Sequence, residues 1–465
     1  MTYPQAQDYL NSFVNYEWLD SYPYKSSFKL ERTQRLLRLL GNPHRTLRAI
    51  HIAGTKGKGS TCAFVANILR EAGFKTGLYT SPHLVDVRER IRVLRAPGSR
   101  PQAPEEGIIS KKDFARLIEK IKPYAERLRE TKSGKLSYYE ILTSLAFLYF
   151  KKEECGFVVL ETGIGGRLDA TNAAFSLVCA ITPISYEHTR LLGATLKKIA
   201  VEKAGIIKLR VQGGTNRKPI VITAPQRPAV LKVIRRRAEE AGADLYEAGK
   251  DIRIKEKSRS IFGQSFDVKG IFAEYPGLKI GLLGRHQIVN AAVAIGCAES
   301  LRCFGVKVSR EALRQGLEKT RWPGRLQVVC RNPGVVLDAA HNRASACALK
   351  NALNKFFKFR SLILVFGVCR DKDVKGILKE LIPCASRIIL TRAQNPRALA
   401  PEIIKSFIKT NARPVVLTQN PAQALEIARQ SAGEKDLILV TGSLFLVGEV
   451  LKSESNFTWR SCSAR

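Results

Sequence analysis

The sequence predicts an α/β protein built from two domains, each formed around a mostly parallel sheet. Two observations lead to this fold class. Apolar runs rich in β-branched residues alternate with amphipathic helical patterns over most of the chain, and this rhythm is typical of parallel sheets covered by helices. The 465 residues also exceed what one hydrophobic core usually supports.

Five strands are predicted in the first domain: "LRAIHIAG" (47–54), "KTGLYTS" (75–81), "FVVLETG" (157–163), "LVCAITPIS" (177–185) and "PIVITA" (219–224). Between the first two, "STCAFVANILREAG" (60–73) predicts a helix that ends at Gly73. Shorter, more polar alternation between about 245 and 285 predicts a small antiparallel sheet. The segment "QIVNAAVAIGCAESLRCFG" (287–305) predicts the next helix.

A second α/β series begins near "WPGRLQVV" (322–329). Its predicted strands are "GVVLDAA" (334–340), "SLILVFGV" (361–368), "RIILTR" (387–392), "PVVLTQ" (414–419) and "DLILVTGS" (436–443). We place the boundary near Glu318–Trp322. The chain then divides into residues 1–318 and a smaller, Rossmann-like α/β domain of residues 319–465.

The composition is strongly basic, with 77 Lys and Arg residues against 41 Asp and Glu residues and a formal net charge of +36. This balance favours anionic ligands and raises nucleic-acid binding as an alternative. The basic residues are spread along the chain, however, and no stripe of aromatic and basic residues forms a stacking platform. We therefore do not expect nucleic acid as a partner.

The ten cysteines form no C-x-x-C pair, which predicts reduced, mostly buried thiols and disfavours a zinc site. No apolar run approaches the ~18 residues of a membrane helix, and the first residues do not resemble a signal peptide. These features predict a cytoplasmic monomer without membrane contact.

The glycine-rich segment "GTKGKGST" (54–61) follows a predicted strand and opens a predicted helix. This context indicates phosphate binding, although the spacing is shorter than in the usual P-loop. Glycines allow a tight turn with N–H groups aimed at phosphate oxygens, and the helix adds its positive end. Lys58 can reach the β- and γ-phosphates, and Ser60 or Thr61 can contact phosphate or Mg²⁺. Lys56 is either a second cation near the phosphates or solvent-facing.

Further motifs distinguish this sequence from other phosphate-binding proteins. In chain order they are "TSPHL" (80–84), "SYYEILTSLAFLYF" (137–150), "VVLETGIGGRLDATN" (158–172), "ITPISYEH" (181–188), "VEKAGIIK" (201–208), "LLGRHQIVNAA" (282–292), "RWPGRLQVV" (321–329), "VVLDAAHN" (335–342) and "VTGSLFLVGEV" (440–450). In order and spacing they resemble the folylpolyglutamate synthase/dihydrofolate synthase family of the Mur-ligase superfamily, over essentially the whole chain. The resemblance implies that the first domain is a P-loop-type ATPase domain and that its shortened phosphate loop is the form found in that superfamily.

The resemblance implies an ATP-dependent carboxylate–amine ligase with ATP as co-substrate and one or two Mg²⁺ ions. The substrate carboxylate attacks the γ-phosphate, and the amino group of L-glutamate then attacks the acyl phosphate. The other substrate is dihydropteroate, a folate, or both. Because such phosphoryl transfer depends on positioning and charge neutralisation, we expect Lys58, His188 and Lys203 to be the catalytic residues.

Family resemblance assigns magnesium binding to Ser81, Glu161 and His188. Glu161 fits because it ends an apolar strand, where open α/β sheets place their ligands, and its oxygens suit a hard cation. His188 and Ser81 are less usual donors and rest on the resemblance. An ammonium at Lys203 would repel the metal, so we expect its carbamylated form, as in similar enzymes. The alternative for Lys203 is a surface helix lysine paired with an acid.

The remaining site residues are also carried over from the resemblance. The nucleotide is expected to contact Gly54, Thr55, Gly57, Lys58, Gly59, Ser60, Thr61, Asn290, Arg325, Asp338 and His341. The pterin or folate is expected near Ser137, Tyr138, Tyr139, Glu140, Leu168, Asp169 and Ala170. The second-domain residues have a structural role as their alternative, and the periodicity of 138–150 is also that of a buried helix.

Three positions depart from the family pattern: Lys56 replaces the more usual Asn, Glu187 replaces Asp, and Arg190 stands where an acid is common. The aromatic "SYYE" stretch favours a bifunctional enzyme, with a folylpolyglutamate synthase alone as the alternative. A ligase of UDP-linked muramyl peptides is disfavoured, because only about fifty residues precede the phosphate loop. A nucleic-acid-binding P-loop NTPase is the third class.

Overall fold

The computed structural model describes residues 1–19, 22–23, 27–98, 107–129, 135–208, 218–408 and 413–455. Within these ranges the chain forms two parallel-type α/β sheets and a small antiparallel sheet. The predicted α/β fold class is therefore confirmed. None of the helices in these ranges combines the length and apolar character that a membrane span requires.

The first sheet has the strand order β3-β2-β4-β1-β5-β6-β7. All neighbouring strands are parallel except β2 and β3. The strands are β1 (Ala49–Ala53), β2 (Thr76–Tyr79), β3 (Ile91–Leu94), β4 (Phe157–Glu161), β5 (Ser176–Ile181), β6 (Ile220–Thr223) and β7 (Asp244–Glu247). Because β1 lies between β4 and β5, the loops after these three strands meet at one edge of the sheet.

Helices cover both faces of this sheet. They are α1 (Tyr3–Asn11), α2 (Leu30–Leu39), α3 (Lys58–Glu71), α4 (Lys111–Arg129), α5 (Tyr138–Lys152), α6 (Thr189–Leu192), α7 (Leu196–Ala204), α8 (Pro228–Glu240), α9 (Arg285–Ser300) and α10 (Arg310–Lys319). Helix α3 is almost entirely buried, which explains why its sequence is apolar on nearly every face.

The predicted antiparallel piece consists of β8 (Arg253–Ser260), β9 (Gly263–Lys269) and β10 (Glu274–Ile280). Its buried side chains, among them Phe266 and Leu278, join the same hydrophobic cluster as Phe64 of α3 and Ile295 of α9. The small sheet therefore extends the core behind the helix that follows the glycine loop.

The second sheet has the order β11-β12-β16-β13-β14-β15, and only β11 is antiparallel to its neighbour. Its strands are β11 (Gln327–Arg331), β12 (Gly334–Asp338), β13 (Leu362–Phe366), β14 (Arg387–Leu390), β15 (Val415–Leu417) and β16 (Leu437–Thr441). The covering helices are α11 (Arg343–Phe356), α12 (Val374–Leu381), α13 (Pro401–Ser406), α14 (Pro421–Ser431) and α15 (Leu444–Ser455).

Three strands were not predicted as strands: β3, β7 and β11. Each is an edge strand of its sheet, so it lacks the apolar continuity that marks a central parallel strand. The nine cysteines in the described ranges are unpaired, as predicted from the sequence. Cys462 lies outside those ranges.

Candidate active site

The phosphate loop connects β1 to α3 and depends on two glycines in the left-handed region. Gly54 has φ +148° and Gly57 has φ +84°. A Cβ on Gly54 would lie 1.9 Å from Thr182 Oγ1, so no larger residue fits against β5. Gly57 is the N-cap of α3 and offers no side-chain acceptor. The N–H groups of the first turn of α3 are therefore left for an anion.

The loop is held in place from the β5 side. Both Thr55 N and Lys56 N donate to the carbonyl oxygen of Pro183, at 3.0 and 3.2 Å. The Thr55 hydroxyl accepts from Ser185 N at 3.1 Å and lies 3.2 Å from Ser185 O. Thr55 thus shapes the loop and joins it to the segment after β5.

Lys58, Glu161 and Ser81 come together at the ends of α3, β4 and β2. Lys58 Nζ lies 3.9 Å from Glu161 Oε1, and Ser81 N donates to Glu161 Oε2 at 3.1 Å. Glu161 is only 5% exposed, and its burial raises the pKa of the carboxyl, while the charge of Lys58 opposes this rise. Because a buried carboxylate needs compensating charge and Lys58 is 3.9 Å away, Glu161 could bind a further positive group.

Two buried hydroxyls near this group lack hydrogen-bond partners within the described residues. They are Thr61 Oγ1 on α3 and Thr162 Oγ1 directly after Glu161. An orphaned buried hydroxyl calls for a partner such as an ion, a ligand or a water. Thr162 was not singled out from the sequence, because a threonine after a strand carries no distinctive signal.

Lys203 lies on α7 and is 4% exposed. Its Nζ donates to the carbonyl oxygen of Gly54 at 2.6 Å. Burial lowers the pKa of Lys203 to about 7, and the charges of Lys58 and Lys56 lower it further, against the attraction of Glu187. The predicted alternative of a surface lysine paired with an acid is wrong, because the side chain is buried against the phosphate loop.

His188 directly precedes α6 and has the left-handed φ of +51°. Burial lowers the pKa of His188 to about 4, and Lys372, Lys203 and Lys58 also disfavour its charged form. The imidazole is therefore neutral near pH 7, which is the form that binds metals. The same interactions indicate that His188 faces the cations around the phosphate loop.

No group of three or more His, Cys, Asp and Glu side chains suited to a metal ion occurs in the described parts of the chain. A magnesium site here therefore needs donors of other types. The hydroxyl of Ser81 and a carbamylated Lys203 would supply them, and the oxygen-rich set with Glu161 would suit a hard cation.

Asn290 and Arg325 border the loop on its other side. A Cβ on Gly57 would lie 2.3 Å from Asn290 Oδ1, so the amide of Asn290 covers the loop. Arg325 follows α10 and has no hydrogen bond or ion pair with the described residues. Its charge nevertheless counters the burial-driven rise in the pKa of both Glu161 and Asp338. It is thus a partnerless guanidinium at the site.

Asp338 ends β12, but both of its oxygens already have partners. They accept from Leu326 N and Ala340 N, each at 2.8 Å. Leu326 has a φ of +46°, so Asp338 stabilises an unusual backbone turn next to Arg325. Its observed contacts are those of a residue that positions Arg325.

Lys56 is partly buried and paired with an acid. Its Nζ lies 2.9 Å from Glu187 Oε1, and the same oxygen lies 3.3 Å from His341 Nε2 of the second domain. Lys56 and Glu187, both singled out in the sequence, thus form one ion pair. Sequence reasoning missed it because 131 residues separate the partners.

The "SYYE" segment begins α5 with a capping box. Ser137 Oγ accepts from Glu140 N at 3.3 Å, and Glu140 Oε2 accepts from Ser137 N at 2.6 Å. Glu140 also pairs with the buried Arg32 at 3.1 Å. Tyr138 is 4% exposed and belongs to the core. Tyr139 faces the site, since its hydroxyl lies 3.4 Å from Glu161 O.

Asp169 organises the loop after Glu161. Its Oδ2 accepts from Gly163 N and Ile164 N at 2.9 and 3.1 Å, and its Oδ1 accepts from Thr171 N at 3.0 Å. It is 1% exposed and its pKa is raised by burial. Leu168 is half-buried and Ala170 is buried. A role as pterin ligand is therefore not visible in the contacts of Asp169, which all serve the loop.

Trp322 is a further residue that the sequence did not single out. It lies in the segment between α10 and β11, and its Nε1 would be 3.1 Å from a Cβ on Gly59. The indole thus rests on the first turn of α3, and an added Cβ at position 59 would be tight against it.

A parallel sheet with this compressed phosphate loop, joined to a second α/β domain, defines a Mur-type ATP-dependent ligase. The model of the Mur ligase middle domain matches residues 111–298, and that of the Mur ligase glutamate ligase domain matches residues 324–444.

The dihydrofolate synthase/folylpolyglutamate synthase of Bacillus subtilis is 35% identical over 91% of this chain and 94% of its own length. The enzyme of the same name from Escherichia coli is 30% identical over 97% of this chain and 96% of its own length. The chain belongs to the dihydrofolate synthase/folylpolyglutamate synthase family, and it is an ATP-dependent ligase.

Solved structures agree with this assignment. The folylpolyglutamate synthase of Mycobacterium tuberculosis, complexed with ADP and AMPPCP, matches with a TM-score of 0.84 and 30% identity over 97% of both chains. That of Thermotoga maritima matches with a TM-score of 0.81 and 32% identity over 98% of this chain and 99% of its own.

Proposed function

We propose that the enzyme joins L-glutamate to dihydropteroate and to the γ-carboxylate of tetrahydrofolates, with ATP as co-substrate. The observation that carries this proposal is the convergence of Lys58, Glu161 and Lys203 on the phosphate loop, in a chain whose relatives are named for both activities. A folylpolyglutamate synthase alone is the second candidate.

The nucleotide phosphates would lie on the N–H groups at the start of α3, between Gly57 and Thr61. Lys58 and the partnerless Arg325 would neutralise the γ-phosphate, and Asn290 would cover the loop. His341 reaches this region from the second domain. Thr55 and Asp338 would act indirectly, by fixing the loop and the turn at Leu326.

Glu161, Ser81, His188 and a carbamylated Lys203 would hold Mg²⁺. When bound, the metal would neutralise negative charge on the phosphates during transfer. The lowered pKa of Lys203 supports the modification, because only a neutral amine adds to CO₂. With a pKa of about 7, a large share of Lys203 is neutral at physiological pH.

The reaction needs two displacements. A carboxylate oxygen of the substrate attacks the γ-phosphorus, and the bond to the β-phosphate oxygen breaks, so that ADP and an acyl phosphate form. The neutral amino group of L-glutamate then attacks the acyl carbon. Phosphate leaves, and the amine nitrogen gives up its extra proton, which completes the amide. Lys58 and Arg325 stabilise the charge on the transferred group in both steps.

The pterin end of the substrate would lie beside Tyr139, the loop 163–170 and the carbonyl edge of β4. Tyr139 supports this because its ring packs on Gly163 and its hydroxyl approaches Glu161 O. Ser137, Tyr138, Glu140 and Asp169 would shape this region through their protein contacts. We expect a monomer in the cytoplasm, and the unpaired cysteines of the described residues fit such a reducing compartment.

Purified enzyme, MgATP and labelled glutamate, offered dihydropteroate or tetrahydrofolate separately, test the proposal. We expect incorporation with both substrates. Incorporation with tetrahydrofolate alone would support the second candidate, and none with either, while ATP binds, would overturn both. Lys58→Ala should lose at least about a hundredfold in kcat/KM.

Lys319→Ala is the matched control for Lys58→Ala. Lys319, the last residue of α10, lies 2.9 Å from Glu71. Glu71 is the last residue of α3, the helix that Lys58 begins, and the Lys319 side chain is 48% exposed. The control should keep its activity. Equal losses in the two variants would remove the phosphate role of Lys58.

A further inference from the structure

Glu187 joins three separate parts of the chain at one carboxylate oxygen. Lys56 comes from the phosphate loop, Glu187 from the segment after β5, and His341 from the segment after β12 in the second domain. The Glu187 side chain is only 16% exposed, whereas Lys56 and His341 are 29% and 31% exposed. The carboxylate is therefore the most protected member of the group.

The ring of His341 is oriented by a second contact. Its Nδ1 lies 2.8 Å from the carbonyl oxygen of Ala339, which can only accept. Nδ1 therefore carries a hydrogen, and Nε2 donates to the carboxylate of Glu187 when the imidazole is protonated. The direction of the imidazole is thus fixed by the backbone of the second domain.

The phosphate loop and the Glu187 segment are also joined by backbone contacts, through Thr55 N and Lys56 N on Pro183 O. A displacement of Glu187 would therefore be transmitted to the loop. The loop also carries Lys58 two positions after Lys56, and two neighbouring ammonium groups repel each other unless an acid lies close to one of them. Glu187 provides that acid.

A second contact between the domains reaches the other side of the site. A Cβ on Gly448 of α15 would lie 2.1 Å from the carbonyl oxygen of Leu84, in the loop that carries Ser81. The second domain thus rests on the Ser81 loop through Leu84 and on the phosphate loop through Glu187. The two domains therefore touch on both sides of the site.

We propose that Glu187 is a positioning residue that joins the phosphate loop to the second domain through Lys56 and His341, and thereby sets the placement of the second domain over the nucleotide. This deepens the proposed function, because it concerns the nucleotide side of the same site. The two residues act as one unit.

A double-mutant cycle tests this proposal. Lys56→Asn removes the ammonium group and Glu187→Asp shortens the carboxylate side chain, and the two changes are made singly and together. AMPPCP binding to the purified protein is measured by calorimetry, so the result does not depend on glutamate ligation. Each single change should raise Kd about fivefold, because each leaves the other partner without its contact. The double variant should bind at least about threefold more tightly than the product of the two effects predicts.

Steady-state kinetics provide a second readout. The single variants should raise KM for ATP more than they change kcat, and KM for the folate substrate should stay within about twofold. Glu240→Gln is the control, since Glu240 forms a surface pair with Arg236 far from the loop. Strictly multiplicative effects in the cycle, or an unchanged Kd in both single variants, would overturn the proposal.

A variant at Glu187 that fails to fold would still leave Lys56 to be tested. Lys56 is partly exposed, and Lys56→Met keeps its aliphatic stem while removing its charge. Small-angle scattering of this nucleotide-free variant should show a larger radius of gyration than the wild type, since Glu187 loses the lysine that holds its carboxylate in place for His341 of the second domain. An unchanged radius together with an unchanged Kd would again overturn the proposal.

Discussion

Lys203 Nζ donates a hydrogen bond to the carbonyl oxygen of Gly54 at 2.6 Å, so a buried lysine rests directly on the first residue of the phosphate loop. No carboxylate forms an ion pair with it among the described residues. The arrangement keeps a partly neutral amine beside the predicted metal donors, and two predictions come from it.

Lys203→Arg should lose at least about a hundredfold in kcat, because a guanidinium stays charged and cannot add CO₂. Lys203→Ala should regain part of its activity when a short carboxylate such as acetate is added, since that anion can occupy the vacated space. Glutamate incorporation at several acetate concentrations is the measurement. Lys208→Ala is the control, because Lys208 is also largely buried and donates to Ala174 O at 2.6 Å. A variant Lys203→Arg with wild-type kcat would disprove the modified form.

Lys203→Met should stabilise the nucleotide-free protein at pH 7, by an amount that declines as the pH rises towards 10.5. The folded pKa of about 7 lies below the ordinary value of 10.5. Between these values the unfolded chain binds one more proton than the folded chain, so wild-type stability rises with pH. Below pH 7 both states are protonated and the full cost of burying the charge remains. Melting temperatures of both proteins in CO₂-free buffer, from pH 6 to pH 10.5, measure the difference. A constant difference would contradict the lowered pKa.

Gly57→Ala should weaken nucleotide binding by at least about tenfold, because a Cβ would collide with Asn290 and the positive φ costs about 1 kcal/mol. Asn290→Ser in the same chain should relieve the collision and recover part of the affinity for AMPPCP. Gly73→Ala is a matched control at the other end of the segment that contains α3. Gly73 has φ +89° and nothing lies within 4 Å of its added Cβ. It should lower the melting temperature without changing Kd.

Ser137→Ala should lower the free energy of unfolding by about 1 kcal/mol, as loss of a helix N-cap does, and leave KM for the pterin substrate unchanged. Ser309→Ala removes the equivalent cap of α10, where Ser309 Oγ accepts from Ala312 N at 3.1 Å. Denaturant unfolding and KM for dihydropteroate are compared in both variants. A rise in KM that occurs only in Ser137→Ala would show that Ser137 contacts the substrate.

The approach of Lys58 to Glu161 could be predicted from the sequence, because Glu161 ends an apolar strand and Lys58 opens the helix after another, and the carboxyl ends of parallel strands share one edge. The place of Ser81 was expected from the family resemblance. The central strands of both sheets could also be predicted, since their apolar runs are continuous. The edge strands β3, β7 and β11 were not, because solvent and charged neighbours interrupt their pattern.

The Lys56–Glu187 pair could not be read from the sequence, because nothing local links residues so far apart in the chain. The partners of Asp338 and Asp169 could not be read either, for a different reason. An aspartate at a strand end or in a glycine-rich loop is compatible with a ligand and with a backbone cap, and only coordinates show that its oxygens are occupied. The net charge of +36 is likewise not explained by the contacts of the site.

The placement of Trp322 against Gly59 has an optical consequence. The sequence contains three tryptophans; Trp18 is 44% exposed, and Trp459 lies outside the described residues. Of the two tryptophans in the described residues, only Trp322 touches the first turn of α3, where nucleotide phosphates would bind. Its fluorescence is therefore an intrinsic signal for nucleotide arrival, and stopped-flow mixing can time that event without any attached dye.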